Sequence, residues 1–217
     1  MAQIRTCIFD LDGVICDTAR FHYSAWKRLA STIGFNLTPH HDEQMKGIGR
    51  AQSLELILNW AGKTFDTQTK EQMCSQKNDW FVESISTISP SDILPGVEDF
   101  LKQLKQANYK IALGSASKNA PSILDKLMIS HYFDALVDGN TVSTPKPNPE
   151  IFLRGAEETG TDPSYCVVFE DALSGVEAAL NAGMYVIGIG DKDILKKAHL
   201  CIKTFEGFSI KDFDRLQ

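Results

Sequence analysis

The sequence predicts a doubly wound, parallel α/β fold carrying an inserted all-helical cap, and three observations carry that prediction. Short, near-continuous apolar runs of strand length recur along the chain, the pattern of strands buried on both faces. Helical patterns lie between successive runs, which is the alternation of βαβ units. The stretch from Thr18 to Thr87 breaks this rhythm with helical spacing alone. The predicted division is a core of residues 1–17 and 88–217, with a helical cap of residues 18–87.

Taken in order, the first strand is Thr6–Phe9. Phe21, Ala25, Leu29 and Ile33 then recur at helical spacing, and Gly34 stops the helix. Ser53–Trp60 and about Thr67–Ile85 read as further helices, and His40 and His41 as loop residues. Pro95-Gly96 marks the entry to a helix at Val97–Gln106, before a strand at Lys110–Leu113. A helix at Pro121–Met128 and a strand at Ala135–Val137 follow. Pro149 suits a first helical turn, so Pro149–Thr159 is a helix; Cys166–Phe169 is a strand. Leu173–Ala182 is a helix closed by Gly183, and Tyr185–Ile189 is a strand.

At 217 residues, 43% hydrophobic and 23% charged, the chain is globular, with room for one large domain plus an insertion. A net charge of −6 excludes a nucleic-acid scaffold but leaves a small phosphorylated substrate open. Cys7, Cys16, Cys74, Cys166 and Cys201 are odd in number and dispersed, so free thiols are expected rather than a disulfide framework or a zinc site. No secretory leader and no membrane-length apolar stretch is present, so a cytoplasmic monomer without nucleic-acid or membrane partners is expected.

In an open parallel sheet, ligands bind beyond the carboxyl ends of the strands, so those ends carry the chemistry. The first ends in Asp10-Leu11-Asp12-Gly13. Extended-chain alternation puts both carboxylates on one side, where one can attack phosphorus and the other can move the substrate proton. Alone, this is as readily a turn; an EF-hand loop fails on the residues that follow. The second ends in Gly114-Ser115-Ala116-Ser117-Lys118-Asn119, where Ser115 and nearby N–H groups suit a phosphate at a helix start, or Ser117 is an ordinary N-cap. Lys146, held among Pro145, Pro147 and Pro149, is a cation for phosphoryl oxygens or a residue of a solvated linker. The strand Cys166–Phe169 ends in Glu170-Asp171; two acids beside Asp10 repel unless a hard cation such as Mg²⁺ sits among them. Each motif has a bland alternative, and their ordered conjunction does not.

Asp10-x-Asp12-Gly13, Ser115, Lys146 and Glu170-Asp171 together resemble the four motifs of the haloacid dehalogenase-like superfamily, over essentially the whole chain. The resemblance implies Asp10 as nucleophile and Asp12 as general acid/base, with Ser115 and Lys146 orienting the phosphoryl group. It implies Mg²⁺ held by Asp10, the Asp12 backbone carbonyl and Asp171, with Glu170 in support. Asp12 separates the chain from the dehalogenases proper. A phosphonate-cleaving relative would use a cap lysine, and Lys46 and Lys77 stand in different contexts.

Within the superfamily, Thr18-x₃-His22-x₃-Trp26, Lys46-Gly47-Ile48-Gly49-Arg50-x₂-Ser53 and Gln76-Lys77-Asn78-Asp79 resemble the cap of its sugar phosphomutases, and Ser115–Asn119 their core. That implies Arg50 on the phosphate not being transferred, and Gly47, Ile48 and Trp26 on the sugar. Ala116, Ser117, Lys118 and Asn119 would meet substrate from the core, while His22 and Lys77 position Asp12. A hexose phosphate is then the substrate and β-glucose 1,6-bisphosphate the activator and intermediate. Ile48 stands where relatives have valine, and Ala172 where many have serine. The rival readings are a sugar-phosphate phosphatase and a non-catalytic phosphosugar-binding protein.

Overall fold

In the computed structural model, which describes residues 4–216, the apolar runs become one six-stranded sheet. Its strands are β1 (Thr6–Phe9), β2 (Lys110–Gly114), β3 (Ala135–Val137), β4 (Cys166–Glu170), β5 (Tyr185–Ile189) and β6 (Leu200–Ile202). The order is β3-β2-β1-β4-β5-β6, and every pairing is parallel. Sequence reading finds five of these strands and not β6, whose three half-buried edge residues carry too short an apolar signal.

Both faces of the sheet are covered, because alternate residues of each strand point to opposite sides. On one face Cys7, Phe9, Leu113, Val167 and Phe169 meet α5 (Val97–Gln106) and α6 (Ala120–Lys126), through Phe100, Leu104, Ile123 and Leu124. On the other, Ile8, Ala112 and Val168 meet α7 (Glu150–Glu158) and α8 (Leu173–Asn181), through Phe152, Ala156, Val176 and Ala179. Phe9 and Phe169 stack at 4.6 Å between ring centroids, and Phe100 closes on both edge-on. Each such ring contributes about 1.5–3 kcal/mol by burial, so this cluster is a rigid floor below the ends of β1 and β4.

Between β1 and α5 the chain forms α1 (Ala19–Thr32), α2 (Pro39–Glu43), α3 (Arg50–Ala61) and α4 (Thr67–Ser84). Trp26, Leu29, Leu37, Leu54, Ile57 and Leu58 make a separate apolar cluster there, while Ala25, Phe81 and Ile85 join the cluster of the sheet. The reading of His40 and His41 as loop residues is corrected: both lie in α2, and His41 Nδ1 accepts from the Thr38 N–H at 3.1 Å. Five residues are too few for periodicity to register.

The five cysteines are unpaired, and no helix is long and apolar enough to cross a membrane among the described residues. Register places the site: Phe9 sits opposite both Leu113 and Phe169, so β1, β2 and β4 end level with one another. Asp10, Ser115 and Asp171 therefore leave the sheet along one edge.

Candidate active site

Asp10 is the first residue beyond β1, and its N–H still donates to Phe169 O at 3.0 Å, which locks its backbone to β4. Its Oδ1 accepts from Lys146 Nζ at 2.7 Å, and its Oδ2 accepts from the Asp12 N–H at 3.1 Å. The Lys146 ammonium also donates to Glu170 Oε1 at 2.7 Å. All three residues are buried. Burial works against the Lys146 cation, but the carboxylates of Asp10 and Glu170 outweigh it and raise its pKa. Burial pushes Glu170 up to about 6, with Lys146 opposing. Lys146 is thus a fixed counter-charge to Asp10, not a residue of a solvated linker.

Asp12 faces the helical segment. Its carboxylate accepts from the Thr18 hydroxyl and lies 3.7 Å from His22 Nε2. Burial, then the neighbouring Asp10 charge, push its pKa up to about 6. Lys77, buried on α4, donates from Nζ to His22 Nδ1 at 2.8 Å and lies over the Trp26 ring. The protonated Lys77 has no acceptor, so opposite its ammonium form Nδ1 is the unprotonated nitrogen and Nε2 carries the hydrogen. That Nε2–H is buried without a hydrogen-bond partner among the described residues, and it faces Asp12. Burial, then the Lys77 charge, hold the His22 pKa well below its usual value, so the ring is neutral. Burial and the Arg50 charge lower Lys77 to about 7.

The acids at the end of β4 bear on a metal. Glu170 is committed: Oε1 to Lys146, and Oε2 to the Ala172 N–H at 2.7 Å. Asp171 projects past Gly13, whose left-handed backbone (φ +77°) and missing Cβ let that carboxylate in. Burial raises the Asp171 pKa well above its usual value, and the charges of Glu170 and Asp10 add to the rise. No three acidic, histidine or cysteine side chains form a ready ligand set among the described residues. Asp10 and Asp171 nonetheless present carboxylates beside the Asp12 backbone. A carboxylate pair with open positions for water and phosphate suits a hard divalent cation. The donor chemistry fits the metal.

A cap loop closes over this end of the sheet. Lys46 Nζ lies 2.9 Å from Glu43 and 3.6 Å from Asp171, and the Lys46 carbonyl accepts from Ser174 Oγ at 2.9 Å. Between the two segments lies a cavity of about 820 Å³. Its lining brings together Asp10, Asp12, His22, Trp26, Lys46, Gly47, Ile48, Arg50, Ser53, Lys77, Ala116, Ser117, Lys118 and Asp171. Thr18, Ser115, Lys146 and Glu170 lie fully buried behind that wall, and Ser115 Oγ accepts from the Ser117 N–H at 3.1 Å. Asn119, half-buried and outside the lining, donates from Nδ2 to Oδ1 of Asn78, which does line the cavity. Sequence reading left Asp42, Met45, Glu55, Lys70, Cys74 and Asn78 without a role, although all six line the cavity. For Asn78 a signal existed, its place beside Lys77 in the quoted cap motif.

Comparison with known proteins finds relatives of both the sequence and the fold. The haloacid dehalogenase-like hydrolase family matches residues 7–189. The chain is 40% identical over 210 residues, 96% of its length and 93% of the relative's, to the beta-phosphoglucomutase of Bacillus subtilis. It is 32% identical over 181 residues, covering 82% of this chain and 81% of the relative, to a phosphorylated carbohydrates phosphatase of Thermotoga maritima. The crystal structure of beta-phosphoglucomutase from Clostridium difficile superimposes with a TM-score of 0.95 at 40% identity, covering 98% of this chain and 96% of that one.

Proposed function

The chain belongs to the haloacid dehalogenase-like hydrolase family, and from that premise we propose that this enzyme is a β-phosphoglucomutase, interconverting β-D-glucose 1-phosphate and D-glucose 6-phosphate. The observation that carries the reading is that one cavity holds both reacting carboxylates, Asp10 and Asp12, together with Arg50, a second cationic anchor remote from them in sequence. A phosphatase needs one phosphate site, whereas a mutase must grip the phosphate it is not moving. The names of the relatives at 40% identity support the same choice.

Asp10 is the nucleophile, and Lys146 on Oδ1 with the Asp12 N–H on Oδ2 fixes its in-line approach. In the phosphorylated enzyme, Asp12 takes the proton of the C6 hydroxyl as the phosphoryl group passes from Asp10 to that oxygen. The resulting β-glucose 1,6-bisphosphate turns over in the cavity, and Asp10 takes the C1 phosphoryl group while Asp12 returns the proton to the C1 oxygen. Ser115 and Lys146 orient the transferring group. Arg50 holds the other phosphate, Ser117, Lys118 and Asn119 meet the substrate from the core side, and Trp26, Gly47 and Ile48 contact the sugar. Residues 18–87 act as the cap over the core of residues 1–17 and 88–217, and its closure excludes water that would hydrolyse the aspartyl-phosphate. Asp10, Asp171 and the Asp12 carbonyl would hold Mg²⁺, with Glu170 behind them. When bound, the ion neutralises phosphoryl charge.

The test is incubation with β-glucose 1-phosphate, Mg²⁺ and a trace of glucose 1,6-bisphosphate, following glucose 6-phosphate and free phosphate together. Glucose 6-phosphate without matching phosphate, absent in Asp10→Ala, is the expected result. Stoichiometric phosphate release would replace the mutase by a sugar-phosphate phosphatase.

A further inference from the structure

Arg50 is the first residue of α3, a place where the helix dipole disfavours a cation. It is half-buried, and burial lowers its pKa. Despite this, no carboxylate is paired with it among the described residues: the Asp79 charge acts on it only at a distance, and its Nη2 donates to the neutral Asn78 Oδ1 at 2.6 Å. A cation kept in an unfavourable place without a counter-charge is one whose charge is left for a ligand.

The same Asn78 oxygen accepts a second bond, from Asn119 Nδ2 at 3.0 Å. Arg50 comes from α3, Asn78 from α4, and Asn119 from the turn that caps α6. One carbonyl oxygen with two lone pairs therefore joins Arg50, assigned to the second phosphate, to Asn119, which meets substrate from the core, one from each side of the cleft. We propose that Asn78 is the positioning residue of the second-phosphate site, its Oδ1 aiming Arg50 and Asn119 at one anion while leaving the Arg50 charge uncancelled. The inference rests on the mutase reading, in which Arg50 grips the phosphate that is not transferred. It adds why the residue is an amide. Aspartate has the same shape and could accept both bonds, but it would pair with the guanidinium and repel the phosphate.

This separates positioning from mere support. Glucose 6-phosphate binding is to be measured by calorimetry in wild type, Asn78→Ala and Asn78→Asp, with thermal unfolding alongside. Asn78→Ala is expected to weaken binding about tenfold, and Asn78→Asp about a hundredfold, by loss of an aimed and then of an available charge. Both variants are expected to melt with wild type. A structural node predicts the reverse order, with the isosteric aspartate rescuing binding, and that order would overturn the proposal. So would wild-type affinity in Asn78→Ala, or losses of binding that follow equal losses of melting temperature. A wild type that does not bind glucose 6-phosphate would remove the mutase reading and this inference with it.

Discussion

Asp12 and Lys77 approach neutrality from opposite sides for one physical reason, because burial disfavours whichever form is charged. Burial lifts the Asp12 carboxyl to about 6 and lowers the Lys77 ammonium to about 7. In the proposed reaction starting from β-glucose 1-phosphate, Asp12 must be ionised to take the C6 proton, so activity is expected to fall as pH drops through about 6. Lys77 must be protonated to keep His22 Nδ1 an acceptor and the Nε2–H turned to Asp12, so activity also falls as pH rises through about 7. The expected kcat/KM profile is a narrow bell whose basic limb disappears in Lys77→Met; a profile flat on the acid side would remove Asp12 as the base. At this scale, Asp10, Asp12, Lys146 and Glu170-Asp171 are legible in the sequence because short motifs at strand ends hold them. The role of Asn78 is not, since its two partners lie 28 and 41 residues away.

At the scale of elements, the cap loop and the β4–α8 turn fit by the absence of atoms. Gly47 has φ +72°, and a Cβ there would lie 2.6 Å from Ser174 Oγ and 3.1 Å from the Ala172 Cβ. Gly47→Ala therefore meets backbone strain of roughly 1–2 kcal/mol together with a steric barrier to docking. The expected outcome is about a tenfold or larger rise in KM for β-glucose 1-phosphate, because the steric cost falls on closure, with the unfolding midpoint lowered only by the roughly 2–6 °C that the backbone strain accounts for. An unaltered KM would show that this loop does not seat against Ser174 in the reacting state. The alanine at position 172 suits this contact, and its N–H meets Glu170 Oε2 without need of a hydroxyl. The long helices and buried strands are read correctly from periodicity. The five-residue α2 and three-residue β6 are not, because a pattern needs more than one repeat to be seen.

Over the whole molecule, separate segments converge their acids on one point, and the cost of that convergence predicts how a metal behaves. Asp171 is buried against Glu170 and Asp10, so its ionised form is held at an energetic cost. Asp171→Asn is expected to melt above wild type in the absence of metal and to gain nothing from Mg²⁺, whereas wild type gains by mass action. Chelation should abolish turnover and Mg²⁺ restore it; wild-type melting indifferent to Mg²⁺ would contradict the metal assignment. The sequence by itself determined the strand–helix alternation, the helical insertion and the residue types proposed for catalysis, because these depend on neighbours a few positions apart. Only the tertiary structure decided which oxygens of Asp10 and Glu170 Lys146 holds, which nitrogen of His22 faces Lys77, and which single atom joins Arg50 to Asn119. Those contacts span up to 136 residues, and a distance along the chain fixes no distance in space until the sheet and the cap have packed.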